Sequence, residues 1–170
     1  MIYFCLSEDG FMEKKSDTLD ALDRSILRML QEDASMTTKE IAVSVNLSTT
    51  PVFERVKRLE RDGYIARYTA LLDRRKVGLS MLVFCEVSLK EHNRDFLFRF
   101  ERQIAELSEV IECHHITGAF DYLLKVVVRD MDGYQYFVKD KLAGLENIGQ
   151  VQSHFVMTEV KNSTTLPLEA

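Results

Sequence analysis

The sequence from Ser48 to Gly63 reads STTPVFERVKRLERDG. Its apolar residues recur at the three- and four-residue spacing of an α-helix and predict one buried face, formed by Val52, Val56 and Leu59. Ser48 suits the N-cap, and Pro51 falls in the first turn, where a missing backbone N–H costs little. Gly63 predicts the end of the helix, because glycine readily adopts the left-handed conformation that follows a last turn. The opposite face of this helix carries hydroxyl and charged groups.

Two further helices are predicted before this segment. In the first helix, the apolar residues that recur at helical spacing are Leu19, Leu22, Ile26, Met29 and Leu30. Asp17 is predicted to cap its start, and Asp20 and Asp23 suit the positive end of its dipole. The second opens with a capping box from Thr37 to Glu40 and stops at a tight break at Asn46. Its inward residues are Ile41, Ala42 and Val45. Three helices with a tight break before the third describe a helix-turn-helix, whose last helix enters the DNA major groove.

The polar face of the third helix supplies the candidate DNA contacts. The hydroxyls at its start suit phosphates or base edges and belong to Ser48, Thr49 and Thr50. Arg55 and Arg58 lie three residues apart on one face, and either can pair with guanine through two hydrogen bonds. Glu54 can accept from a cytosine amino group, while Lys57 and Arg61 are assigned to phosphates.

Charge patterning leaves a second interpretation open. The chain has 22 Lys and Arg against 27 Asp and Glu, a net charge of −5, which by itself argues against a polyanionic partner. The segment 55–76 holds eight cations and three acids, so it carries +5 and the remainder −10. A charged helix can also be a solvated surface with internal pairs, such as Glu54 with Arg58 or Lys57 with Glu60. The position of the cations on the third helix favours DNA binding.

The second half of the chain alternates strands and helices. From residue 81 the period changes to two, and one strand face is apolar throughout: Met81, Val83, Cys85, Val87 and Leu89. A helix at 94–107, with Phe96, Phe100, Ile104 and Leu107 inward, precedes strands at 110–117 and 122–129, a helix at 132–145 and a strand at 149–161. The order βαββαβ predicts a ferredoxin-like sandwich. The half-apolar outer face of its sheet predicts that a second copy covers it.

The fold class is therefore α+β, with a helix-turn-helix (winged-helix-like) domain at 17–66 and a ferredoxin-like domain at 80–162. We predict a flexible N-terminal arm at 1–16, an extended linker at 67–79 and a C-terminal tail at 163–170. Three cysteines without a CxxC spacing favour a reducing compartment. No apolar run is long enough for a membrane helix or a signal peptide, so a cytoplasmic location is expected.

The quoted residues also carry a family resemblance. Stretches LDALDRSIL (19–27), VNLSTTPV (45–52), RVKRLERDGYI (55–65), TGAFDYLL (117–124) and MTEVK (157–161) resemble the Lrp/AsnC (leucine-responsive regulator/asparagine regulator) family of prokaryotic transcription factors. The resemblance is collinear from about residue 17 to residue 168.

This resemblance implies an amino-acid effector, no cofactor and a homodimer that assembles into an octamer. It places effector binding between dimers, near a glycine-aspartate turn. The implied effector residues are Thr117, Gly118, Asp121, Tyr122, His154, Phe155 and Val156. Asp121 can meet an ammonium and backbone N–H groups near Gly118 can meet a carboxylate. The alternative is that Gly118 and Asp121 only form a tight turn.

Other site classes find little support in the sequence. Cys113 and His115 share one strand face and His114 points the other way, so a tetrahedral metal site would need ligands that no spacing supplies. No nucleophile, phosphate loop or framed carboxylate pair indicates an enzyme. We expect a sequence-specific regulator that binds double-stranded DNA and responds to an amino acid or related metabolite. The alternative is a metabolite-binding oligomeric module without specific DNA binding.

Overall fold

The structure, a computed structural model, describes residues 19–168 and divides them into two compact units. The helical unit comprises residues 19–69 together with 163–168, and the sheet unit comprises residues 70–162. The division between the units lies inside the predicted linker at 67–79. The predicted arm at 1–16 and the predicted cap Asp17 lie outside the described residues.

The helical unit contains α1 (Ala21–Glu32), α2 (Thr38–Ser44) and α3 (Thr49–Arg61). Asp20 occupies the N-cap of α1, where its carboxylate accepts a 2.7 Å hydrogen bond from the Asp23 N–H. The predicted capping box of α2 is confirmed, since Thr37 and Glu40 each accept from the other's backbone N–H. The break between α2 and α3 contains Asn46 with φ of 55°, a left-handed conformation that asparagine tolerates.

One hydrophobic cluster holds these helices together. Its buried members come from all three helices and are Ile26, Leu27, Ile41, Ala42, Val52, Val56 and Leu59. The predicted inward face of α3 is therefore confirmed. Gly63 has φ of 80° after the last turn, as predicted. No helix or strand occurs between residues 62 and 80, so no hairpin follows α3 there.

Residues 163–168, predicted as a tail, pack within the helical unit. Leu168 lies against the hydrophobic cluster of the three helices. The Leu166 N–H donates to Gln31 Oε1 at 2.7 Å, and Gln31 Nε2 donates to the Leu166 carbonyl at 3.4 Å. The chain thus leaves the helical unit at residue 69 and rejoins it after residue 162.

The sheet unit contains β1 (Met81–Leu89), α4 (Arg94–Ala105), β2 (Val110–His115), β3 (Tyr122–Val128), α5 (Met131–Tyr136) and β4 (Ile148–Phe155). A π-helical segment, Phe137–Leu142, continues directly from α5. The strands form one antiparallel sheet in the order β2-β3-β1-β4. This arrangement confirms the predicted βαββαβ ferredoxin-like fold.

The predicted apolar faces of β1 and β3 meet the helices in a common core. Its buried residues include Val83, Cys85, Val87, Tyr122, Leu124, Val126, Phe100, Ile104 and Phe137. In α4 the prediction for Phe96 was wrong, since Leu97 packs against this core and Phe96 is only half-buried outside it. Leu97, Phe100 and Ile104 are three and four residues apart and form the inward face of α4.

Several predicted ends were wrong. The last strand stops at Phe155, not Lys161, because β1 is its one partner among residues 19–168 and begins at Met81. Phe155 already pairs with Val83, and Val156 makes a final hydrogen bond to the Leu82 carbonyl. The second strand likewise ends at His115, two residues before the predicted position. The helices predicted to reach 107 and 145 end at Ala105 and Leu142.

Candidate DNA-binding face and effector turn

The start of α3 exposes three hydroxyl side chains. Ser48 occupies the N-cap with extended backbone, but its hydroxyl makes no capping hydrogen bond. Thr49 and Thr50 follow, and all three residues are exposed. Pro51 lies in the first turn, as predicted. The predicted hydroxyl cluster therefore lies together on the solvent side of the helix start.

Arg55 and Arg58 are directed toward α1. The Asp23 carboxylate accepts from Arg55 Nη1 at 2.8 Å and from Arg58 Nη2 at 2.5 Å. Arg55 Nη1 also donates to Asp20 at 2.6 Å. Hydrogen bonds to Asp23 and then Asp20 raise the pKa of Arg55, which keeps it charged. The two arginines predicted to contact guanine thus join α3 to α1 in this structure.

Asp23 is the central group of this network. It is 1% exposed and is the one buried charged residue among the described residues. Arg55 and Arg58 are 31% and 29% exposed, so the ion pairs bridge the interior and the surface. An unpaired buried carboxylate would carry a large desolvation penalty. Loss of either arginine would therefore leave this carboxylate with fewer partners and weaken the link between α1 and α3.

The remaining cations of α3 lie on its exposed face. Lys57 Nζ donates to Glu60 at 2.7 Å, which confirms one internal pair that the alternative interpretation named. Arg61 Nε donates to the neighbouring Asp62 at 3.0 Å. Glu54 is exposed on the same side of the helix. Both pairs are surface ion pairs of small net strength, so a phosphate can compete for these cations.

Sequence reasoning missed one residue on this face. Phe53 is 49% exposed, and its ring lies 5.8 Å from Lys57 Nζ. Its position is one residue after Val52 and four before Lys57. The helical spacing contains this signal, because the core positions Val52, Val56 and Leu59 leave residue 53 beside the buried face.

The predicted effector turn is built around Asp121. Its carboxylate accepts from the Leu89 N–H at 2.7 Å, and His92 Nε2 lies 2.9 and 3.0 Å from its two oxygens. Partial burial raises the pKa of Asp121, but these two partners outweigh that effect and hold the pKa below its ordinary value. Gly118 has φ of 131°, a conformation that strains other residues. Thr117 precedes it in the same exposed turn.

Tyr122 lies in the core behind this turn. It is fully buried, and its hydroxyl donates to Glu101 at 2.9 Å. Its ring packs at 4.6 Å from Phe100 and stacks at 4.7 Å on His115. Burial and the Glu101 carboxylate raise the pKa of Tyr122. This tyrosine supports the turn from below and does not present its side chain to solvent.

The end of β4 is separate from the turn within one chain. His154 pairs with Phe84 on the outer face of the sheet, where its Nε2 lies 3.0 Å from Glu86. Phe155 faces the helices and contacts Tyr134 with ring centroids 5.1 Å apart. Four residues along β1 and two strand spacings put Asp121 and His154 about 16 Å apart. One chain therefore does not bring the two parts of the predicted effector site together.

Comparisons with known proteins give matches in both the helical unit and the sheet unit. The family model described as Lrp/AsnC ligand binding domain matches residues 82–166, and that for a winged helix-turn-helix DNA-binding domain matches residues 19–66. The leucine-responsive regulatory proteins of Salmonella typhimurium and Escherichia coli K12 are each 41% identical over 151 residues, which cover 89% of this chain and 92% of each relative. The chain belongs to the Lrp/AsnC family.

Solved structures of this family match the fold closely. An AsnC family transcriptional regulator from Agrobacterium tumefaciens has a TM-score of 0.84 and 42% identity, covering 88% of this chain and 97% of that chain. A Neisseria meningitidis transcriptional regulator in complex with L-Met has a TM-score of 0.85 and 37% identity over the same shares. This Lrp/AsnC member is a DNA-binding transcription regulator that responds to an amino acid or a related small metabolite.

Among residues 19–168, no three His, Cys, Asp or Glu side chains are grouped so as to hold a metal ion. Cys113 and His115 do share a sheet face, because they pair with Leu124 and Tyr122 of β3. Over the same residues, every helix is too short or too polar to cross a membrane. The relatives named above are transcription regulators, not enzymes.

Proposed function

We propose that this Lrp/AsnC regulator docks the exposed face of α3 in the DNA major groove and that an amino acid at the Thr117–Tyr122 turn changes its DNA affinity. One observation carries the DNA-binding part of the proposal. The Asp23 network holds α3 against α1, while the hydroxyls of α3 and its cations Lys57 and Arg61 face away from the helical core. An oriented polar face of this kind is what groove docking requires.

Each exposed group of α3 then has a distinct contact. The hydroxyls of Ser48, Thr49 and Thr50 bind phosphates or base edges at the start of the helix. Lys57 and Arg61 exchange their surface carboxylates for phosphates. Glu54 accepts from a cytosine amino group.

Arg55 and Arg58 have a first role that the sequence did not predict, which is to position α3. A direct contact with guanine would require a guanidinium to leave Asp23, with guanine O6 and N7 replacing the carboxylate oxygens. The penalty for leaving buried Asp23 with one partner fewer opposes this exchange. We therefore propose that both arginines position α3. A contact of either arginine with guanine is a separate proposal.

For the effector, the chemistry of the turn fits an amino acid such as the L-Met of the Neisseria relative. Its ammonium would meet Asp121, which keeps acceptor capacity beyond the Leu89 N–H, and its carboxylate would meet N–H groups near Gly118. His92 is the exchangeable partner of Asp121, because its ring is mostly exposed. Tyr122 supports the turn through packing.

Oligomerisation follows from the separation of the effector residues. Since His154 and Asp121 are far apart in one chain, a site that uses both takes them from different copies. The outer face of the sheet also has an uncovered cavity of about 450 Å³, whose apolar lining is Leu72, Val77, Leu79, Leu82, Ile111 and Val127. We propose that a second copy covers this face in a dimer and that dimers join in an octamer around the effector sites.

Regulation is then a matter of linkage. If the effector and DNA each bind one of two assembly states more tightly, the effector changes the affinity for DNA by some factor, and DNA changes the affinity for the effector by the same factor. Two α3 helices related by a twofold axis would read half-sites one helical turn apart, or a multiple of it.

The experiment is a selection of bound fragments from random-sequence DNA with the full chain, followed by affinity measurements at several salt concentrations. The proposal predicts an enriched site whose affinity falls steeply with salt. A flat salt response without an enriched site would instead favour the metabolite-binding module without specific DNA binding.

A further inference from the structure

Phe53 is a large apolar side chain on the polar side of α3. It is 49% exposed, while the neighbouring Val52 is completely buried in the helical core. Thr49, Phe53 and Lys57 are four residues apart and so form one row along the helix surface. A single exposed apolar residue is common on proteins and has no meaning alone. Here its two neighbours in the row are groups assigned to DNA.

Lys57 restricts the ring of Phe53. Its ammonium lies 5.8 Å from the ring centroid, a cation–π distance, and it donates to Glu60 at the same time. The ring is therefore supported on the side toward the next helical turn. Thr49, one turn before it, is short and leaves the ring accessible from the start of the helix.

The chemistry of the major groove limits what this ring can contact. Base edges there present hydrogen-bond donors and acceptors, and the one apolar group is the C5 methyl of thymine. An aromatic ring in the first half of a recognition helix lies where base edges are closest. Burial of an apolar ring against polar edges would be unfavourable, whereas contact with a methyl group removes apolar surface of both from water.

We propose that Phe53 is a specificity-determining residue that packs against the C5 methyl of one thymine in each half-site. This inference rests on the proposed docking of α3. It assigns to Phe53 a base preference, while Lys57 beside it supplies affinity for phosphate without sequence information.

The test replaces thymine by deoxyuridine, which removes only the methyl group, at one position at a time in the selected DNA site. For the wild-type chain, one position in each half-site is expected to show about fourfold weaker binding, the equivalent of one buried methyl group. F53A is expected to bind the thymine and deoxyuridine sites equally. F53L, which keeps an apolar group, is expected to retain part of the discrimination.

K57A is the matched control, since it changes the neighbouring residue of the same row. It is expected to bind both sites more weakly and to keep the preference for thymine. Equal wild-type binding to thymine and deoxyuridine at every position would overturn the assignment of Phe53 alone. Undiminished discrimination by F53A would do the same. If no DNA site is enriched in the first place, the docking proposal fails, and the assignment fails with it.

Discussion

The buried Asp23 carboxylate of α1 accepts a 2.8 Å hydrogen bond from the Arg55 guanidinium of α3. The two residues are 32 positions apart in the sequence. The same carboxylate accepts from Arg58 one turn further along α3. These contacts join α1 to the recognition helix, in addition to the packing of its buried face formed by Val52, Val56 and Leu59.

Asp23→Asn removes the charge from this network and keeps the size of the side chain. We expect the free energy of unfolding to fall by about 2 kcal/mol, less than for a fully buried pair because both arginines are partly exposed. Urea denaturation followed by circular dichroism measures this change. E54Q, on the exposed side of α3, is the matched control and should unfold as the wild type does. Equal stability of D23N and the wild type would show that the network does not hold α3.

The sequence was informative wherever a local period or cap decides the structure. The spacing of Val52, Val56 and Leu59 predicted the buried face of α3, and Thr37 with Glu40 predicted the start of α2. The Asp23 network was not predictable in this way, because pairing partners 32 and 35 residues apart leave no periodic signal. The ends of the strands were predicted wrongly for a related reason. The pattern predicted a strand as far as Lys161, but β1 begins at Met81, only two residues beyond the partner of Phe155, so most of that predicted extension has no strand to pair with.

The residues of the candidate sites differ in the same way: some follow from a local period, and others depend on contacts in the folded sheet. Exposure of Ser48, Thr49, Thr50, Lys57 and Arg61 follows from the helical period and was predicted. The position of Asp121 between Leu89 and His92 depends on where β1 ends in the folded sheet, which the turn residues alone do not specify. The family resemblance implied Tyr122 as an effector residue. Strand alternation from Leu124 and Val126 nevertheless places its ring in the core.

Lys57→Ala tests the phosphate role of the exposed cations. Each lost phosphate contact lowers the slope of log affinity against log salt by about one, so we expect this reduction for each half-site. Fluorescence anisotropy with the selected DNA at four salt concentrations gives the slope. E54Q should leave it unchanged, because Glu54 is not assigned to phosphate. A K57A slope equal to the wild-type slope would remove Lys57 from the DNA interface.

Asp121 should make stability depend on pH at the acid end. Its pKa is lowered in the folded protein, so the unfolded chain binds more protons and stability rises with pH. The contribution is fully present above the unfolded pKa of about 3.9 and is lost as pH falls through the lower folded pKa. Thermal unfolding at pH 3 and at pH 6 should therefore differ less for D121N than for the wild type. An identical difference in the two proteins would contradict this sign.

Removal of residues 163–170 tests the packing of the chain end on the helical unit. The shortened chain loses two hydrogen bonds with Gln31 and the contact of Leu168, and we expect about 1–2 kcal/mol lower stability. Q31A, which removes only the hydrogen bonds, should show about half of this loss. Urea denaturation measures both variants. Unchanged stability of the shortened chain would show that the terminal segment contributes nothing to the unit.

The most direct measurement of amino-acid-controlled DNA binding is a titration of each amino acid into the full chain on its selected DNA, with D121N and H92A in parallel. We expect at least one amino acid to change the wild-type Kd for DNA by about fivefold or more. D121N, which keeps an acceptor for the Leu89 N–H, should lose this response and bind DNA normally without effector, as should D121A. H92A, which keeps the carboxylate, should retain the response. An equal response in D121N and the wild type would contradict the role of Asp121 in effector binding. A wild-type Kd that no amino acid changes would contradict amino-acid control of DNA binding.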